Sequence, residues 1–312
     1  MTEQAQAEFS TPPSPGKLKP ADIKRVKAKG CLIDKRTGRH FNVRVITRNG
    51  KITQQEMACI AAAAEKFGSG EITMTVRLTL EIQGVPYEKL DELEAYLKDN
   101  NLEIGGTGAK VRPVVSCKGT TCQYGLIDTF ELSEQLHELF YEGKKDFQLP
   151  HKFKIAVGGC PNSCAKPSLN DIGIVGQLIP RPLPEICRHC KVCQVINTCP
   201  VDACHVPPND FTIDLEKCIN CGLCIPACPF DAVEEATRGY KIYIGGRWGK
   251  AINIGRPLDA MIEREEALFE IIENALQFYQ ENGKPKERFA LMIDRIGFDV
   301  VQDALLKDVS TT

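Results

Sequence analysis

Cys218-x2-Cys221-x2-Cys224-x3-Cys228-Pro229 carries the cysteine spacing of a bacterial ferredoxin run. In such runs close thiolates reach adjacent irons of a cubane cluster while the intervening amides hydrogen-bond its sulfurs. A second triad, Cys187-x2-Cys190-x2-Cys193, lies upstream and is followed by Cys199-Pro200 after a longer gap than usual. The fourth cysteine of each run in a two-cluster module ligates the other cluster. That rule predicts one [4Fe–4S] cluster on Cys187, Cys190, Cys193 and Cys228, and another on Cys218, Cys221, Cys224 and Cys199. Zinc also uses C-x2-C pairs, but it takes four ligands, usually from two pairs, whereas two triads each followed by Cys-Pro suit iron and sulfide. Two further pairs, Cys117-x4-Cys122 and Cys160-x3-Cys164, are far apart in the chain and provide four thiols for a third cluster. Of fifteen cysteines only Cys31, Cys59 and Cys204 remain without a role, and Cys204 reads as a buried bystander.

Abundant cysteine can also mean a disulfide scaffold, but those are short, secreted and loop-rich. This chain has 312 residues, 43% of them hydrophobic, enough for a composite domain with an added module. No apolar stretch of signal-peptide or membrane-spanning length occurs at the start, where Pro12, Pro13, Pro15 and Pro20 point to a flexible arm over residues 1–20. A reducing cytoplasm is the expected setting, with no membrane span. The formal charge of −2 and the lack of a basic block argue against nucleic acid as a partner.

The elements that must position these thiols read as α+β. Residues His40–Thr47 alternate like a strand, Thr53–Glu56 is a capping box opening a helix to about Phe67, and Ile72–Ile82 alternates as a second strand. Pro86 at a first helical position starts a helix with Leu90, Leu93 and Leu97 on one face, which completes a ferredoxin-like half-domain over residues 21–110. Val111–Ser116, Lys152–Val157 and Asp171–Gln177 read as strands, with a helix over Asp128–Tyr141, so both distant cysteine pairs follow strand ends. Residues 184–238 form the inserted two-cluster ferredoxin module, bracketed by prolines and Arg238-Gly239. Tyr240–Ile244 resumes strand character, and helices over about Met261–Glu281 and Pro285–Val309 close the domain made of residues 111–183 and 239–312.

Over nearly everything from Arg39 to Ile296 the chain resembles the siroheme-dependent sulfite and nitrite reductase superfamily. The resemblance rests on Val114-Val115-Ser116-Cys117, Leu149-Pro150-His151-Lys152-Phe153-Lys154, Gly159-Cys160-Pro161-Asn162-Ser163-Cys164 and Gly245-Gly246-Arg247-Trp248-Gly249. The insertion is similar to that of the dissimilatory and the anaerobic sulfite reductases. The family spacing of the first pair is C-x5-C; here it is one residue shorter, either a loop variant in which Lys118–Thr121 takes a tighter path or the mark of a distinct subgroup. The resemblance implies that Cys117, Cys122, Cys160 and Cys164 hold a [4Fe–4S] cluster and that Cys164 also bridges to siroheme iron. It implies substrate-binding cations at Arg77, Arg112, Lys152 and Lys154. Two apart on a strand, Lys152 and Lys154 point to one face and Phe153 to the other. Thr121 and Asn162 are candidates for contacts to macrocycle carboxylates, although turn geometry explains Asn162 equally well.

The expected activity is six-electron reduction of sulfite to sulfide, with electrons entering at the ferredoxin-type clusters. Nitrite reduction is the alternative within enzymes, since the same cofactors serve both. A non-catalytic iron–sulfur electron-transfer subunit and a protein that detoxifies or senses small oxyanions are the others. No Gly-rich dinucleotide motif follows a strand, which points to flavin or iron–sulfur donor subunits in a homo- or hetero-oligomer.

Overall fold

The computed structural model describes residues 18–207 and 210–311. Residues 1–17 of the expected arm lie outside the described residues, and Pro20 is already the first residue of helix α1 (Pro20–Ala28), where a missing N–H is harmless. Strands β1 (Cys31–Ile33) and β2 (His40–Val45) follow. Helix α2 (Gln54–Phe67) begins at the capping box: the Glu56 N–H donates to the Thr53 hydroxyl and the Thr53 N–H to the Glu56 carboxylate. Ile72–Ile82 is not one strand. Strands β3 (Ile72–Met74) and β4 (Leu80–Pro86) pair antiparallel around a turn in which the Thr75 and Thr79 hydroxyls lie 2.7 Å apart and Leu78 has φ 61°. Pro86 ends β4 rather than opening a helix, and one 3-10 turn leads into α3 (Leu90–Asp99), which buries Leu90, Leu93 and Leu97.

Strand β5 (Val115–Ser116) precedes α4 (Thr129–Leu136), whose first amides donate to Asp128 and which continues as a π turn over His137–Glu142. Strand β6 (Ile155–Gly158) and the long β7 (Ile172–Pro182) come next. Both β5 and β6 are shorter than expected: Pro113 has no N–H for a ladder, and Val111 meets Phe153 only in an isolated bridge. Then come α5 (Gln194–Thr198) and the ribbon β8 (Cys204–His205) and β9 (Thr212–Ile213). Strand β10 (Val233–Ile244) starts earlier than Tyr240 because its first residues extend the ladder with β7, Val233 standing opposite Pro182. Strand β11 (Arg256–Ile262) takes up Met261 and Ile262, which helical periodicity had claimed, and α6 (Glu265–Asn282) follows. The last expected helix is two, α7 (Phe289–Ile296) and α8 (Phe298–Leu306), parted at Gly297, whose φ of 107° suits glycine alone.

Among the described residues the strands form a sheet in the order β1-β2-β4-β3, a larger one in the order β11-β10-β7-β6-β5, and the β8–β9 ribbon. The fold is α+β. Strands β5, β6 and β7 run parallel, which sets the ends of β5 and β6 side by side; Cys117 follows the first and Cys160 the second. The described residues between β7 and β10 sit on the far end of the β7–β10 ribbon and pack around Val195, Phe211, Ala232 and Val233.

The larger core is anchored by Phe153, Tyr279 and Phe289, with ring centroids 5.1–5.9 Å apart and all three fully buried. Phe153 separates Lys152 from Lys154, so this packing also orients the two lysines. Phe153→Ala is expected to destabilise the fold by about 3–5 kcal/mol, read from the midpoint of urea unfolding.

Candidate functional site

Cys117, Cys122, Cys160 and Cys164 all line one cavity of about 610 Å³, together with Val76, Leu78, Tyr124 and Asn162. Parallel pairing explains the convergence, since each pair begins where a parallel strand stops. Backbone donors already face the sulfurs: the Gly159 N–H donates to Cys117 Sγ at 3.2 Å. Lys118–Thr121, the shortened loop, closes as a single 3-10 turn with the Cys122 N–H on the Gly119 carbonyl. Thr121, exposed, is not among the residues that line this cavity, and its hydroxyl donates to the Lys118 carbonyl at 3.2 Å. Asn162 does line the cavity. Gly246 packs on the carbonyls of Ser168 and Asn170.

Two smaller voids lie among the cysteines between β7 and β10. One, about 50 Å³, is lined by Cys187, Cys190, Cys193 and Cys228; the other, about 10 Å³, by Cys199, Cys218, Cys221 and Cys224. The structure thus brings together the fours that the spacing rule groups, and Cys204 joins the second. Amide donors recur here: Ala203 N–H to Cys199 Sγ at 3.2 Å, Asn220 N–H to Cys218 Sγ and Ala232 N–H to Cys228 Sγ, both at 3.4 Å. Among the described residues no group of three or more His, Cys, Asp or Glu is placed to hold a single metal ion. Each thiol set instead rings a void and receives amides, a geometry that fits a polynuclear cluster.

Arg77, Arg112, Lys152 and Lys154 also gather, beside the large cavity rather than in its wall. Arg77 lies on the β3–β4 turn between Val76 and Leu78, both of which line the cavity. Its guanidinium donates to Pro113 O at 2.7 Å and Asn170 Oδ1 at 3.2 Å, and that of Arg112 donates to the carbonyls of Gly106 and Gly108. The Nε atoms of Arg77, Arg112 and Arg288 are buried without partners. Burial, then Arg77 and Lys152, push the Lys154 ammonium down to about 8, and burial and Arg288 lower Lys152. Asp171, fully buried, accepts from Arg288 through both oxygens at 3.0 Å and from the Lys154 N–H at 2.9 Å. Burial pushes its carboxyl up, and the Arg288 guanidinium pulls against that.

Reading the sequence alone missed Arg288, Asp171 and Asn170. Asp171 had a signal, an acid directly before the apolar run Ile172–Val175. Arg288 had none, since it ends a charged stretch that resembles a solvated surface.

A family model described as the nitrite and sulphite reductase 4Fe-4S domain matches residues 107–311, and one described as the nitrite/sulfite reductase ferredoxin-like half domain matches residues 33–100. Uncharacterized protein MJ0551 of Methanocaldococcus jannaschii is 31% identical over 83% of this chain and 88% of that protein. The coenzyme F420-dependent sulfite reductase of the same organism is 30% identical over 89% of this chain, which spans only 44% of that longer protein. A crystal structure of dissimilatory sulfite reductase I superposes with a TM-score of 0.71 at 23% identity, covering 88% of this chain and 71% of the other, and so shares its fold. No helix among the described residues is long and apolar enough to cross a membrane.

A lysine held at about 8 loses its charge as pH rises through that value. Sulfite binding, followed by calorimetry, is expected to weaken above pH 8 in the unaltered chain, and Lys154→Gln to bind weakly without that pH step.

Proposed function

This chain belongs to the nitrite and sulphite reductase family, and on that footing we propose that it is a sulfite reductase subunit reducing sulfite to sulfide with six electrons. The observation that carries the reading is the adjacency of a void ringed by Cys117, Cys122, Cys160 and Cys164 to a buried cation cluster with unpartnered Nε donors. Sulfite rather than nitrite is favoured by the name of the F420-dependent relative, which matches most of this chain.

Siroheme coupled to a [4Fe–4S] cluster would supply a Lewis-acidic iron for the substrate and a store of electrons for its reduction. Cys117, Cys122, Cys160 and Cys164 would hold the cluster, and Cys164, the exposed one of the four, would be the thiolate that links it to the macrocycle. Asn162 is assigned a contact to a macrocycle carboxylate. Arg77 and Arg112, tethered to backbone carbonyls, keep fixed positions and offer Nε to the oxyanion oxygens. Donors that are already in place need no reorganisation as charge builds on the leaving oxygens. Lys152 and Lys154 offset the anion's charge and hold protons at Nζ; the lowered pKa of Lys154 makes its proton available near neutral pH. Six electrons and eight protons convert sulfite to hydrogen sulfide and three waters, so proton supply matters as much as electron supply.

The two cysteine sets of the insert, residues 184–238, hold two more [4Fe–4S] clusters. A flavin or iron–sulfur protein of the cytoplasm provides the electrons, and the chain works within a homo- or hetero-oligomer.

An absorption spectrum with a Soret peak and a red chlorin band, together with sulfide production from reduced viologen, is expected; an iron–sulfur shoulder alone would identify a carrier, and faster turnover of nitrite a nitrite reductase. Lys154→Ala is expected to lower kcat for sulfite by about a hundredfold with the absorption spectrum unchanged.

A further inference from the structure

The insert contains an internal repeat that differs at one informative position. Cys199-Pro200-Val201-Asp202-Ala203-Cys204 matches Cys228-Pro229-Phe230-Asp231-Ala232-Val233. Asp202 and Asp231 both take positive φ, 51° and 56°, and the following alanine N–H donates to the leading cysteine sulfur in both copies. The residue after each alanine is buried, 5% exposed for Cys204 and 2% for Val233. Two matched half-sites therefore differ by a thiol against an isopropyl group. Cys204 lines the void of Cys199, Cys218, Cys221 and Cys224, which sets its thiol among their sulfurs.

That void is also the inner one. Pro180 of β7 lines it, Leu178 bridges to Cys221, and the Leu178 N–H donates to the Asn220 carbonyl at 2.9 Å. Two residues back along β7, Gly176 lies against the Gly159 carbonyl, next to Cys160. The void of Cys187, Cys190, Cys193 and Cys228 has no β7 residue in its wall and is the outer one.

We propose that the Cys204 thiol donates a hydrogen bond to the cysteine ligands of the inner cluster and holds that cluster at a higher reduction potential than the outer one, directing electrons toward β7. This rests on the iron–sulfur reading of both sets. Ligating cysteines carry no proton, whereas Cys204 lies outside the ligand set in the same wall and has an S–H to donate. Hydrogen bonds to cluster sulfurs stabilise the more negative, reduced state. Arg188 at the outer void, stacked on Phe230 at 4.5 Å, is exposed, and water screens its charge. In each transfer one electron leaves the reduced outer cluster, supplied beforehand by a flavin or iron–sulfur protein, and reduces the inner cluster; Cys204 keeps its proton.

The test is a redox titration followed by electron paramagnetic resonance on the full chain, with iron and acid-labile sulfide quantified. The unaltered protein is expected to show two separated ferredoxin-type potentials. Cys204→Val, copying the outer half-site, is expected to move the higher one down, and Cys204→Ser, which retains a donor, to leave it nearly in place. Coincident potentials in the unaltered chain, or unmoved potentials in a fully loaded Cys204→Val chain, overturn the proposal. Iron lost from either variant makes Cys204 a ligand or scaffold and overturns it too. Lack of iron and sulfide in the unaltered protein overturns the cluster reading itself.

Discussion

One buried carboxylate holds the anion-binding side of this molecule together. Asp171 receives both of its Arg288 contacts from the start of α7, an amide from the residue before β6, and, at its own carbonyl, the Gly245 N–H from the end of β10 at 3.0 Å. Its neighbour Asn170 holds Arg77 from the other sheet. Burying an ion costs several kcal/mol unless it is paired and hydrogen-bonded, and the Asp171 carboxylate meets that condition through Arg288 and the Lys154 amide. Arg77, Arg112, Lys152, Lys154 and Arg288 share this region with Asp171, while Arg44 beside them is paired with Glu81 at 2.7 Å. The excess positive charge is a standing cost to the fold and a ready complement to an oxyanion.

The parts of this arrangement that were legible in the sequence are those with local causes. The Thr53–Glu56 capping box and the alternation of Lys152, Phe153 and Lys154 each depend on residues a few positions apart, and each is present. Illegible features have distant causes. The 75–79 reversal lacks glycine, asparagine or proline; it is held by paired threonine hydroxyls and by the Thr47 hydroxyl donating to the Leu78 carbonyl across β2. Strand β10 extends back to Val233 only because β7 is there to pair with it. Arg288 becomes part of the site only after α7 is docked, with its partner 117 positions away.

Convergence of the two cysteine pairs has a further requirement beyond parallel pairing, and it accounts for the short loop after Cys117. A Cβ on Gly119 would lie 2.6 Å from the Thr129 methyl and 2.9 Å from Gly159 Cα, and one on Gly159 would lie 2.9 Å from Gly119 Cα. The two backbones touch with no side chain between them. A loop this close to the end of β6 has a short distance to cover, so four residues suffice between Cys117 and Cys122. The same contact brings the Gly159 N–H onto Cys117 Sγ, and the Gly159 carbonyl accepts the Leu126 N–H at 2.8 Å. Loop and strand end thus become one hydrogen-bonded layer that presents all four sulfurs to a single void. Since the contact is made by backbone atoms, even alanine at either glycine would push the two cysteine pairs apart, while the cations around Asp171, held by other elements, would stay where they are.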